Sequence, residues 1–145
     1  MNSSEPGRSD LTVQFREIIP SRLDLLEPAI ERIMQSIAAM SCFHGSLDEI
    51  KLALNEAVAN AMVHGNRRNP DKNIEVGWAC TDGRELLLTV TDEGEGFDPT
   101  RVPDPTSDDK IFRGGGRGLF LIRQLMDHVE FRKGGRQIVI SKTCC

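Results

Sequence analysis

No run in this chain approaches the roughly 20 consecutive apolar residues that a helix needs to span a bilayer, so no membrane-crossing helix is expected. Cys-x-x-Cys pairs are absent too. Cys42, Cys80, Cys144 and Cys145 are scattered, as are His44, His64 and His128. That leaves no clustered ligand set for structural zinc, and the cysteines read as reduced thiols. No internal repeat is seen in these residues, and a second domain is not expected. Positive charge is not in excess: the net charge is −4 and the pI near 5.4, which argues against a nucleic-acid surface. The opening stretch, Met1 to Asp10, is polar and lacks the apolar core of a secretory signal; the expected compartment is the cytoplasm. Residues 1–10 read as a loose arm, and residues 11–145 as one domain. Its 39% hydrophobic and 28% charged composition over 145 residues is that of a globular chain able to bury one core without staples.

Periodicity orders the rest. Leu11, Val13 and Phe15 alternate with Thr12, Gln14 and Arg16, a half-buried strand pattern. After Pro20-Ser21, a helical face carries Leu23, Leu26, Ile30, Ile33, Met34 and Ile37, and His44-Gly45 breaks it. Ser46 with Glu49 three residues on resembles a capping box for a second helix to about His64. Gly65 to Asn73 is turn-rich. Strands are expected near Ile74–Cys80 and Glu85–Thr91, joined at Asp82-Gly83. From Asp92 to Gly116 no period holds, and Pro99, Pro103 and Pro105 interrupt the chain. So long an aperiodic stretch inside a compact domain reads as a functional lid. A third helix from Leu119 to about Asp127 follows, then strands near Val129–Arg132 and Gln137–Ser141 turning at Gly134-Gly135.

Three motifs carry chemistry. On the second helix, Glu56, Asn60 and His64 recur at every fourth position and share one stripe of an otherwise apolar element. Such a stripe is either a structural polar network joining helix to sheet, or a site in which the Asn60 amide oxygen meets a metal ion and Glu56 is a general base. In the second motif a strand runs into Asp92-Glu93-Gly94-Glu95-Gly96. Asp92 would accept from an exocyclic amine, and Gly94 and Gly96 would let the backbone approach a ligand. The third, Arg113-Gly114-Gly115-Gly116-Arg117-Gly118 before Leu119, is a glycine-rich loop opening a helix, which offers free N–H groups to phosphate. It is neither a P-loop nor a dinucleotide fingerprint.

The order of these motifs resembles the GHKL superfamily of histidine-kinase-like ATPases, and most closely the anti-sigma-factor serine/threonine kinases of bacterial partner-switching systems. The resemblance runs over about residues 10–142 and is strongest at Asn55–Ala61 with His64-Gly65, at Asp92–Phe97, and at Gly115–Ile122 ending in Met126-Asp127. It implies Mg²⁺ on Asn60, Glu56 positioning or deprotonating the attacking hydroxyl, Asp92 bonding the adenine amine, and Gly94 and Gly96 shaping the base pocket. It further implies that Gly116 and Gly118 bind the ATP phosphates. Gly114, Gly115 and Leu119 belong to the same ATP-binding set, with Arg113 and Arg117 as γ-phosphate partners. Where that family often has Gly-Thr opening the last strand, this chain has Gly135-Arg136-Gln137.

The expected fold is an α+β two-layer sandwich, a mixed and mostly antiparallel sheet with three helices on one face. The expected activity is ATP-dependent phosphorylation of a Ser or Thr on a small anti-sigma antagonist protein. A sigma factor as sequestered partner and a homodimer are implied by the resemblance; neither nucleic acid nor membrane is an expected partner. The alternative is an ATP-dependent protein-binding switch with little or no kinase activity and a non-sigma output partner.

Overall fold

Strict alternation in Glu85–Thr91 buries Leu86, Leu88 and Val90 and leaves the residues between them half-buried, the pattern of a strand with one face on a core. In a computed structural model of the chain, which describes residues 15–39, 45–81, 85–96 and 117–143, this segment is the central strand β3. The other strands are β1 (Phe15–Pro20), β2 (Asn73–Thr81), β4 (His128–Arg132) and β5 (Gln137–Thr143). They form one sheet in the order β1-β2-β3-β5-β4. The antiparallel character expected for most of the sheet extends to all four described pairings. Val76 lies opposite Val90, and Leu88 opposite Ile140, so apolar side chains stack across the strands on one face.

Helices α1 (Leu26–Ala38), α2 (Leu47–Asn60) and α3 (Arg117–Leu125) supply the second layer. α1 contributes Ile30, Ile33 and Ile37, α2 contributes Ile50, Leu54 and Val58, and α3 Ile122; all join one cluster with Ile74, Leu88 and Ile140 of the sheet. Each such side chain gives about 1.5–3 kcal/mol on leaving water. The opposite sheet face is open and carries Arg16, Glu75, Thr89 and Gln137. Lys142 of β5 ties the layers together, donating to the Leu125 carbonyl at the end of α3 (2.6 Å) and pairing with Glu49 of α2 (2.9 Å). No described helix is long and apolar enough to cross a membrane.

Four local details differ from the sequence reading. β1 runs on to Pro20, and Phe15, expected inward, is 44% exposed and stacks on Trp78 instead (centroids 5.6 Å apart). Leu23 lies in a 3-10 turn, Leu23–Leu25, ahead of α1 and not on its buried face. Ser46 stands at the N-cap of α2 without a side-chain capping bond, and Glu49 pairs with Lys142 instead of closing a capping box. The end of α2 widens into a π turn, Ala61–Gly65. The arm at residues 1–10, Leu11, Val13, the break at His44, the Asp82-Gly83 turn and the lid from Phe97 to Gly116 lie outside the described residues.

Candidate functional site

β3 delivers Asp92, which is only 4% exposed. Its backbone N–H donates to the Arg136 carbonyl (2.9 Å), and its Oδ1 accepts the Gly94 N–H (2.8 Å). Gly65, the last residue of the π turn, presses on the same carboxylate: a β-carbon there would overlap Asp92's side-chain oxygen and stand 3.0 Å from its Cβ. A β-carbon on Gly94 would in turn overlap the Gly65 carbonyl oxygen. Gly65, Asp92 and Gly94 interlock, and two of the three have no room for a side chain. Gly96 adopts φ +80°, a left-handed conformation that favours glycine.

Asp92 lines a cleft of about 410 Å³, its open mouth included. α2 contributes Ala57, Asn60 and Ala61, α3 contributes Leu119 and Ile122, and the sheet contributes Val90, Phe131 and Ile138, with Gly135 and Arg136 at the turn before β5. The walls are mostly apolar and one buried carboxylate stands among them. Such a slot suits a flat heteroaromatic ring whose exocyclic amine reaches the acid.

The polar stripe of α2 continues from this cleft. Asn60 and Glu56 are half-buried, and neither side chain has a hydrogen-bond or ion-pair partner among the described residues. Gly118 packs directly on both: a β-carbon there would stand 2.8 Å from Asn60 Nδ2 and 3.0 Å from Glu56 Oε1. The first turn of α3, with its free N–H groups, is therefore held against the stripe. An amide and a carboxylate, both oxygen donors, beside a helix N-terminus form a set suited to Mg²⁺ with phosphate.

The structure thus brings together Glu56, Asn60, Asp92, Gly94, Gly118 and Leu119, and Gly96 stays beside Gly134 and Arg136 on the same loop. His64 is exposed within the π turn and does not line the cleft. Arg117 opens α3. Arg113, Gly114, Gly115 and Gly116 lie outside the described residues. Sequence reasoning missed Phe131, Ile138 and Asn66. The first two resemble any strand residue, and Asn66 stands in a segment that looks like plain turn. Arg136 occupies the cleft wall where the resemblance has threonine, and Gln137 bonds Thr91 Oγ1 through Nε2 (2.8 Å).

The family model for the histidine kinase-like ATPase domain matches residues 19–142. The chain belongs to the histidine kinase-like ATPase family. Within it, the chain is 31% identical over 110 residues to the serine-protein kinase RsbW of Oceanobacillus iheyensis, a match covering 71% of this chain and 69% of that protein. It is 34% identical over 93 residues to the anti-sigma F factor of Heyndrickxia coagulans, covering 60% and 63%. To the serine-protein kinase RsbW of Listeria monocytogenes it is 32% identical over 117 residues, covering 75% and 74%. This histidine kinase-like ATPase therefore groups with serine-protein kinases and anti-sigma factors, and the matched part spans about two thirds of their length.

Proposed function

We propose that this chain is an ATP-dependent serine/threonine protein kinase of the anti-sigma type. Its substrate would be a small antagonist protein and its second partner a sigma factor, and it would act in the cytoplasm as a homodimer. The observation that carries the reading is the contact of Gly118 with both Glu56 and Asn60, which sets a helix N-terminus, a carboxylate and an amide around one point. Asp92 supports adenine binding, since a buried acceptor in an apolar slot favours a ring bearing an amine. The relatives named as serine-protein kinases support the reaction.

In the transfer, the substrate hydroxyl oxygen bonds the γ-phosphorus as the bond to the β–γ bridging oxygen breaks, and ADP leaves with that electron pair. Glu56 takes the hydroxyl proton or aims the hydroxyl; it is half-buried, with no ion-pair partner among the described residues. Asn60 would hold Mg²⁺ through its amide oxygen, and the ion would supply charge neutralisation of the phosphates. Gly116, Gly118 and the neighbouring loop glycines would hold phosphate through backbone N–H groups, with Arg113 and Arg117 beside the γ-phosphate.

The test pairs two variants. Proteins retained on the immobilised chain with ATP are mapped for new phosphosites, and the captured substrate is then used in single-turnover transfer. Asn60→Ala loses Mg-dependent nucleotide binding and transfer together. Glu56→Gln keeps both binding events and slows transfer by about 10²-fold or more, the scale of general-base loss. A folded, ATP-binding E56Q protein with wild-type transfer would sink the catalytic role of Glu56.

A further inference from the structure

Beneath the base loop lies a residue that the proposed reaction does not use. Asn66 follows the π turn and is 2% exposed. All of its side-chain groups are bonded. Nδ2 donates to Ser21 Oγ (2.7 Å) and to the Asn73 carbonyl (3.0 Å), and Oδ1 accepts the Glu93 backbone N–H (2.7 Å). The orientation of the amide is fixed by its partners, since a backbone N–H only donates and a carbonyl only accepts. Glu93 makes a second tie, its Oε1 accepting the Asn73 N–H (2.9 Å).

The backbone around Asn66 is bent to hold it there. Its own N–H reaches back to the Ala61 carbonyl (2.8 Å), and Arg68's reaches the Met62 carbonyl (2.8 Å). Arg67 and Arg68 follow in succession at φ 55° and φ 61°. Two adjacent left-handed arginines just after a π turn are costly geometry, of the kind that persists where the surroundings over-determine it. The result is that α2, β2, the β1–α1 junction and the base loop meet at one amide.

We infer that Asn66 is a positioning residue for base recognition: by holding Glu93, it fixes the direction in which the neighbouring Asp92 carboxylate faces the cleft. Glu93 stands between Asp92 and Gly94, the pair that interlocks with Gly65. With the Glu93 N–H released, the loop keeps the Glu93 Oε1 tie to Asn73 and the Asp92 N–H bond to Arg136, and the Asp92 side chain shifts about these two points. Asp92 then keeps its bond to Gly94 and loses its aim. The inference rests on the reading of Asp92 as the acceptor for the adenine amine.

The experiment measures binding of ATP and of purine riboside triphosphate, which lacks the 6-amino group, to the full chain. Wild type prefers ATP by about tenfold or more, the value of a hydrogen bond to a charged acceptor. Asn66→Ala reduces the preference to less than about threefold. Asn66→Ser, whose hydroxyl can hold water in the vacated space, gives the same collapse and carries the test if the alanine variant does not fold. Ile37→Val, a core change at a fully buried residue of α1, keeps the wild-type preference although it destabilises the fold. An Asn66 variant with the wild-type ratio overturns the inference, as does an equal collapse in Ile37→Val. A wild type indifferent to the amine removes the reading of Asp92, and the inference with it.

Discussion

The Nδ2 of Asn60 lies 2.8 Å from the point where a β-carbon on Gly118 would be, with Glu56 Oε1 at 3.0 Å from the same point. A single methyl group on α3 would therefore intrude on two side chains of α2. Alanine is the better helix former by up to about 1 kcal/mol. Gly118→Ala is expected to leave the melting temperature unchanged or raised while phosphoryl transfer falls at least about tenfold through misplacement of the stripe. Thermal melting and single-turnover transfer on one preparation check the split; a variant with full transfer would separate Gly118 from the site.

Gly65→Ala and Gly94→Ala should both fail, the methyl group meeting Asp92's carboxylate in one case and the Gly65 carbonyl in the other. Both are expected to lose about 1–3 kcal/mol of stability by overpacking, together with nucleotide affinity. Gly45→Ala is the control: nothing lies within 4 Å of its new β-carbon, and its effect should stay within about 0.5 kcal/mol. Denaturant unfolding of the three variants decides.

Asp92→Asn keeps the side chain's volume and an oxygen for the Gly94 N–H but removes the charged acceptor. ATP affinity is expected to fall by about tenfold or more. Calorimetry giving equal affinities for wild type and variant would remove Asp92 from base recognition.

Acid stability offers a separate check at the α3–β4 junction. The Thr143 backbone N–H donates to Asp127 Oδ2 (2.6 Å) and holds this carboxyl below its usual range; the Thr143 side chain and the Lys142 charge act in the same direction, against a smaller effect of burial. A lowered folded-state pKa means stability present above the unfolded value, about 4, and lost as pH falls through the lower folded one. Asp127→Asn should therefore melt below wild type at pH 7, with the gap closing below about pH 4. A gap that persists unchanged into strong acid would show that the charge is not what matters.

The elements visible in the sequence were those with a strong period or a glycine signature. The run Glu85–Thr91 after Asp82-Gly83 was read as a strand and is β3, and Gly118 before Leu119 marked the start of α3 to within two residues. Glu56 and Asn60 were legible because polar residues on an apolar helix have few bland reasons to exist. His64 misled, since a 3.6-residue period cannot anticipate a π turn that begins one residue after Asn60. Asn66 was hidden for a related reason: its importance lies in partners at Ser21, Asn73 and Glu93, up to 45 residues away, and no local pattern records such a meeting.

β5 is inserted between β3 and β4, and among the described strands β4 pairs only with it. On the ribosome, β4 therefore emerges before it has any neighbour, and the bared edge of β3 waits until Gln137–Thr143 has left the exit tunnel. Gly135, Arg136 and Ile138, a whole wall of the cleft, arrive in that same interval. A nascent chain has no partly working version of this site. A chain stopped between β3 and β5 would leave the β3 edge unpaired, an edge of the kind that invites aggregation.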